Sequence, residues 1–319
     1  MKRWLPVVAA LCALLSLVAA SPLVVREASE GLRLCAELIL PSLFPFFVVS
    51  SLLARLGFPR LLGAWLRRPA ELLFHVSGAG ATALFIGLTG GYPLGAAYLA
   101  ELTERGELSP REAGLLLGFC NNSGPAFLVG AIGAGVFDSL PAGLLLYAAH
   151  VLAALLTALL LRPREKPAPA VPEGPLPEPE PFSRALAEAV GGAVPAVLGV
   201  CGFVVVFTVF TGLLRANGFL EPAEALLSAA GLSPEGSRAL LLGFWELGSG
   251  VGALRGLPLS PANLALAALL VGWGGLSVHF QSLAPFSELP VNCSRHLPGR
   301  LLSAGLGALL ARLLAEALL

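Results

Sequence analysis

Gly118-Phe119-Cys120-Asn121-Asn122-Ser123-Gly124-Pro125-Ala126-Phe127-Leu128-Val129-Gly130 is the stretch whose reading decides the fold. It sits inside an apolar run from Ala113 to Phe137, long enough to cross a bilayer. Its middle nevertheless holds two amides, a hydroxyl, a glycine and a proline. An amide moved into hydrocarbon without a partner costs roughly 4–8 kcal/mol. Pro125 also lacks a backbone donor and clashes with the preceding turn. No plain lipid-facing helix tolerates this combination. Irregular backbone at membrane depth survives only inside protein or along a watery cavity. The stretch therefore predicts a helix broken at Asn121–Pro125, with its free backbone groups and amides turned toward an internal site. The structural alternative is a polar knot that ties helices together by hydrogen bonds.

Composition sets the solvent. The 319 residues are 56% hydrophobic and 13% charged, and the mean hydropathy is +0.82. A soluble domain carries about 25% charged residues, so this is a polytopic membrane protein with lipid as a partner. Formal net charge is zero and there is no basic tract, which argues against nucleic acid. Cys12, Cys35, Cys120, Cys201 and Cys293 are scattered, with no metal-ligand spacing and no disulfide framework.

Lys2 and Arg3 precede an apolar run from Trp4 to Val25. Val18-Ala19-Ala20 resembles a signal-peptide cleavage site. The many later spans favour an uncleaved first helix with its N-terminus in the cytoplasm. The charged stretch Arg26–Glu37 reads as an interfacial segment. Ile39–Leu56 is the second span, kinked by Pro41 and Pro45. Arg55, Arg60, Arg67 and Arg68 then mark a cytoplasmic loop. In Phe74–Ala100 the Gly-Gly-Tyr-Pro sequence at 90–93 predicts a re-entrant hairpin turning at Thr89–Pro93. Ser109-Pro110 starts the helix that is to be broken. Leu140–Leu161 is a clean span, followed by Arg162, Arg164 and Lys166 and a Pro/Glu-rich linker.

Beyond the linker the pattern returns about 150 residues downstream. Phe182–Ala189 matches the charged stretch, and Val194–Leu214 matches the second span. The Leu242–Gly252 run, holding Glu246 and Ser249, echoes the hairpin. Val271–Gln281, with Ser277, His279 and Gln281, echoes the broken helix, and Leu301–Leu318 is the last span. The Ala216–Glu235 loop carries Glu221, Glu224 and Glu235 and no Lys or Arg. It is expected outside, whereas its counterpart around Arg55–Arg68 is expected inside. The expected fold is all-α and polytopic, with two inverted repeats, each holding a re-entrant hairpin and a broken transmembrane helix. Residues 1–162 form the first half, 163–181 a cytoplasmic linker and 182–319 the second half.

Gly-Gly-Tyr-Pro-Leu-Gly-Ala at 90–96 and Phe-Cys-Asn-Asn-Ser-Gly-Pro at 119–125 resemble the sporulation integral membrane protein family, YlbJ-like proteins with a nucleoside-recognition or Gate domain. That domain is similar to concentrative nucleoside transporters. The resemblance is strongest over Gly87–Gly133. It implies an endospore-forming bacterium, a multi-pass protein of the cell membrane, the outer forespore membrane included, and a role in spore cortex formation through passage of dipicolinate into the forespore. Dipicolinate comes from the resemblance alone.

Interrupted segments at matching places in inverted halves point to a transport site at the bilayer midplane. The expected activity is carriage of a small polar, anionic solute. Thr89, Gly90, Gly91, Tyr92 and Pro93 of the first hairpin form one part of the expected substrate site, and Asn121, Asn122, Ser123, Gly124 and Pro125 of the first break another. Ser249, Ser277, His279 and Gln281 come from the second half. The amides, together with half-helix N-termini near Thr89 and Gly124, are to supply donors, because few intramembrane cations are in view. Glu246 is expected to bind a coupling H⁺ or Na⁺, or to hydrogen-bond the substrate, since a carboxylate at the bilayer centre costs roughly 2.5–3.5 kcal/mol. No other cofactor and no metal is expected, and a homo-oligomer is compatible with the sequence. Two other classes compete. Gly248-Ser249-Gly250 with His279 superficially resembles an intramembrane serine hydrolase dyad. A non-transporting scaffold for cortex assembly is the other, against which stands the cost of polar midplane residues.

Overall fold

The computed structural model describes residues 4–163 and 181–319. The expectations for Lys2, Arg3 and most of the linker fall outside the described residues. Among the described residues the fold is all-helical. Among the described residues five helices are long and apolar enough to cross a membrane: Ser21–Arg55, Leu140–Leu161, Phe182–Ala216, Pro261–Phe286 and Cys293–Leu318. A sixth span arises if the pair Leu61–Leu73 and Gly78–Gly90, bent by 100°, is counted as one. The protein is a multi-pass membrane protein.

The first half departs from expectation at its start. The run expected as one span, Trp4–Val25, divides at Ala20 into α1 (Leu5–Ala19) and α2 (Ser21–Leu34). The charged stretch expected at an interface is instead part of a 35-residue helix. It runs from α2 through a π-helical turn, Cys35–Ile39, into α3 (Leu40–Arg55). Arg26 pairs with Glu27 and Arg33 with Glu30 along one side, while Gly31, Cys35 and Leu38 are buried. Its buried stripe packs against a neighbouring helix. The wide turn lies just ahead of Pro41, which cannot donate to the carbonyl four residues back. The loop expected after Arg55 is also helical, α4 (Phe58–Leu73).

The hairpin is present as α5 (Gly78–Gly90) and α6 (Leu94–Glu104), with its tip at Gly91-Tyr92-Pro93. Thr89 and Gly90 belong to the last turn of α5, so the helix end near Thr89 is a C-terminus and not the expected N-terminus. Gly91 has φ +83, and a Cβ there would lie 2.9 Å from the Gly124 nitrogen. The tip can therefore touch the first break only with glycine at this position. The broken helix begins as expected with α7 (Pro110–Leu116), where the Ser109 hydroxyl accepts from Glu112 N at 3.2 Å. The chain leaves helical geometry around Asn121–Gly124 and resumes as a π-helix, Ala126–Ala134. The span α8 (Leu140–Leu161) follows.

The second half repeats this order of elements. The Phe182–Ala189 segment is the first part of α9 (Phe182–Ala216), another 35-residue helix and not a separate amphipathic piece. Gly31 approaches Val205, Glu27 approaches Gly212, and Arg55 pairs with Glu188. The two long helices therefore lie antiparallel along their length. Within the expected Ala216–Glu235 loop is α10 (Glu221–Ala229). The second hairpin is α11 (Pro234–Trp245) and the single turn-and-a-half α12 (Leu247–Gly252), joined at Glu246. Then α13 (Pro261–Trp273) and α14 (Gly275–Leu283) meet at Gly274-Gly275, with φ +88 and +77. Ser277, His279 and Gln281 are thus in the helix after the break, not in the break itself. The last span, α15 (His296–Leu318), starts five residues before the expected Leu301. A Cβ on Gly299 would fall 2.0 Å from the Gly118 carbonyl oxygen, so α15 rides against the first broken helix backbone to backbone. That approach brings Arg300 inside the protein.

Candidate substrate site

Both hairpin tips and both broken helices converge on one cleft of about 480 Å³, counting its open mouth. Gly91 and Tyr92 reach it from the first hairpin, Ser123 and Gly124 from the first break. Glu246 and Gly248 come from the second hairpin, Ser277 and Gln281 from α14. Ile39 and Leu43 of the first long helix, and Val200 and Val204 of the second, supply apolar walls. Of the expected site residues, Thr89, Gly90, Pro93, Asn121, Asn122, Pro125, Ser249 and His279 do not line it.

The two asparagine amides are spent inside the protein. Both residues are fully buried. Asn121 Oδ1 accepts from Ala96 N at 3.3 Å, and its Nδ2 donates to Ser282 Oγ. Asn122 Nδ2 donates to Phe119 O at 2.6 Å, and its Oδ1 accepts from Arg300 at 3.4 Å. Buried amides must find partners, and here the partners are protein groups. The Ser123 backbone N–H donates to His150 Nε2 at 3.1 Å, so that ring carries its proton on Nδ1. Thr89 Oγ1 donates back to Phe85 O at 2.8 Å.

Glu246 is 3% exposed and caps α12. Its two oxygens accept from Gly248 N at 2.8 Å and Ser249 N at 2.5 Å. Among the described residues it is the cleft's one charged side chain. Ser277 Oγ is buried without a partner among the described residues. Gln281 Nε2 donates to Ser277 O at 3.1 Å, which leaves its carbonyl oxygen for the cleft.

Ser249 and His279 form no dyad. Ser249 Oγ lies 3.3 Å from Thr208 Oγ1. His279 Nδ1 lies 2.8 Å from His296 Nε2, and His296 Nδ1 lies 3.4 Å from Leu117 O. A carbonyl only accepts, so His296 Nδ1 holds its proton and His279 Nδ1 donates to His296. His279 Nε2 is left without a partner among the described residues.

Sequence reasoning missed Arg300. It is 1% exposed and sits between the two breaks. Nη1 donates to Asn121 O at 2.7 Å and to Asn122 Oδ1. Nη2 faces Val271 O at 3.2 Å, Gly272 O and the Tyr92 hydroxyl. Tyr92 in turn donates to Val271 O at 2.9 Å. The Val271 and Gly272 carbonyls are in the last turn of α13, where partial negative charge collects, and Asn121 O belongs to the irregular backbone of the first break. One arginine thus caps both. Pro298 fits the first turn of a helix starting at His296, but nothing in the sequence announces that Arg300 turns inward. His150 and His296 were missed as well, because nothing near them in sequence announces their partners.

This arrangement of hairpins and broken helices shares its fold with a solved concentrative nucleoside transporter. A solved structure of the CNTnw transporter, a variant in its intermediate 3 state, matches with a TM-score of 0.51 and 15% identity, covering 99% of this chain and 85% of that one. No protein-family model matches the chain. Sporulation integral membrane protein YlbJ of Bacillus subtilis (strain 168) is 31% identical over 313 residues, covering 90% of this chain and 77% of the relative. The chain belongs to that family of sporulation integral membrane proteins.

Proposed function

We propose that this protein carries a small polar, anionic solute across a membrane, with the cleft between the hairpin tips as the substrate site. The observation that carries the reading is the convergence of both hairpins and both breaks on one cleft. Polar groups gather there between apolar walls: Ser277 Oγ, the Gln281 amide and the Glu246 carboxylate. The two halves act as inverted repeats that rock about this site. The antiparallel pairing of the two long helices supports that symmetry.

Glu246 supplies the coupling. A fixed carboxylate repels an entering anion, so the site works when H⁺ or Na⁺ neutralises it. The cargo by family likeness is dipicolinate, passed into the forespore during sporulation. The test is uptake of labelled dipicolinate into proteoliposomes holding the purified full-length protein. Uptake that exceeds empty liposomes and saturates is expected. Absence of uptake under any H⁺ or Na⁺ gradient would leave the scaffold reading in its place.

A further inference from the structure

We infer that Arg300 is the anion-specificity residue of this transport site, and that the Tyr92 hydroxyl stands where a substrate carboxylate oxygen binds. The inference rests on the transport reading above and names the group that selects the charge.

Arg300 is buried, and its partners are all uncharged. Among the described residues no carboxylate pairs with it. A buried cation is ordinarily matched by an anion, because an unpaired charge in low dielectric is costly. The carbonyls of Asn121, Val271 and Gly272 offset part of that charge but are fixed in the backbone of the two breaks. Nε–H has no partner among the described residues. Nη2, on the same edge of the guanidinium, bonds the Tyr92 hydroxyl. Nε and Nη2 together form the fork that takes a carboxylate through two parallel bonds. One prong of that fork is unpartnered, and the other bonds the Tyr92 hydroxyl beside the Val271 and Gly272 carbonyls.

Tyr92 is also the one partner of Arg300 that comes from a hairpin tip. It belongs to the hairpin tip and follows Gly90-Gly91, whereas the other partners belong to the breaks. Its ring lines the cleft, and its centroid is 5.2 Å from the guanidinium carbon. Withdrawal of the tip opens a path from cleft to guanidinium, and a carboxylate then takes both prongs. A neutral solute of the same shape gains nothing from this exchange.

The experiment measures binding of pyridine-2,6-dicarboxylate and of its uncharged diamide to the full-length protein in detergent. Wild type, Arg300→Gln and Tyr92→Phe are compared. Wild type is expected to favour the dicarboxylate. Arg300→Gln should lose roughly 10- to 100-fold of that preference, the worth of a charge-assisted bond. Tyr92→Phe removes the stand-in and should bind the dicarboxylate roughly 3- to 10-fold more tightly, with the diamide unchanged. If Arg300→Gln does not fold, Tyr92→Phe decides alone. A wild-type preference that Tyr92→Phe leaves unchanged overturns the inference while the transport reading stands. Binding of neither probe by wild type overturns the anionic reading, and the inference with it.

Discussion

The guanidinium of Arg300 donates to the backbone carbonyl of Asn121 at 2.7 Å, across 179 positions of sequence. The same side chain reaches the Val271 and Gly272 carbonyls at the other break. The two interruptions are therefore one structural unit, tied by a side chain from the last helix. A change at one break should be felt at the other.

Asn122→Leu tests that unit. It removes the donor to Phe119 O and one of the two acceptors of Arg300 Nη1, which keeps Asn121 O, and both of those groups are buried. Each buried group left unpaired costs about 1–3 kcal/mol. The variant should insert, melt at lower temperature than wild type and lose uptake. A melting profile that overlays wild type would show that Asn122 does not hold the break together.

Gly91→Ala should be far worse than Gly57→Ala, although both glycines have left-handed φ, +83 and +81. At Gly57 the added methyl would have nothing within 4 Å, so its cost is backbone strain alone, about 1–2 kcal/mol. At Gly91 the added methyl also meets the Gly124 nitrogen at 2.9 Å, which forces the tip off the break. Uptake by the two variants, at matched expression, should fall only for Gly91→Ala. Equal activity in both would remove the tip contact from the mechanism.

Glu246→Gln keeps the shape of the cap and removes its charge. The amide has one acceptor oxygen for two backbone donors, so about 0.5–2 kcal/mol of stability is lost at the start of α12. The functional effect should be larger. The pH dependence of uptake should flatten and accumulation against a gradient should stop, while exchange persists. Identical pH profiles for the variant and wild type would exclude Glu246 from coupling.

Topology can be read by labelling. On a background lacking Cys12, Cys35, Cys120, Cys201 and Cys293, single cysteines go into the 163–181 linker and the 221–235 segment. An impermeant thiol reagent should reach them from opposite sides. Labelling of both from one side would rule out inverted halves.

Several features were legible in the chain because they arise locally. Ser109-Pro110 starts α7, Gly91-Tyr92-Pro93 turns the hairpin, and Asn121–Gly124 breaks the helix. Each follows from a donor that proline lacks, a φ that only glycine accepts easily, or a polar group that lipid cannot satisfy. The helix partner of Arg26–Glu37 was not legible, because an amphipathic stripe looks the same whether a membrane surface or a second helix covers it. Here α9 covers it.

The sequence by itself determined that lipid surrounds this chain, where its helices are interrupted and that the interruptions come twice. Only the tertiary structure decided which groups satisfy them. Asn121 and Asn122 looked free to meet a substrate and instead bond Ala96, Phe119, Ser282 and Arg300. His150 serves Ser123 from 27 positions away, and Arg300 serves Asn121 from 179. Hydrophobicity and backbone geometry are properties of neighbouring residues and can be read along the chain. A hydrogen-bond partner is chosen by proximity in space, and only packing such as that of Gly299 on Gly118 sets that proximity.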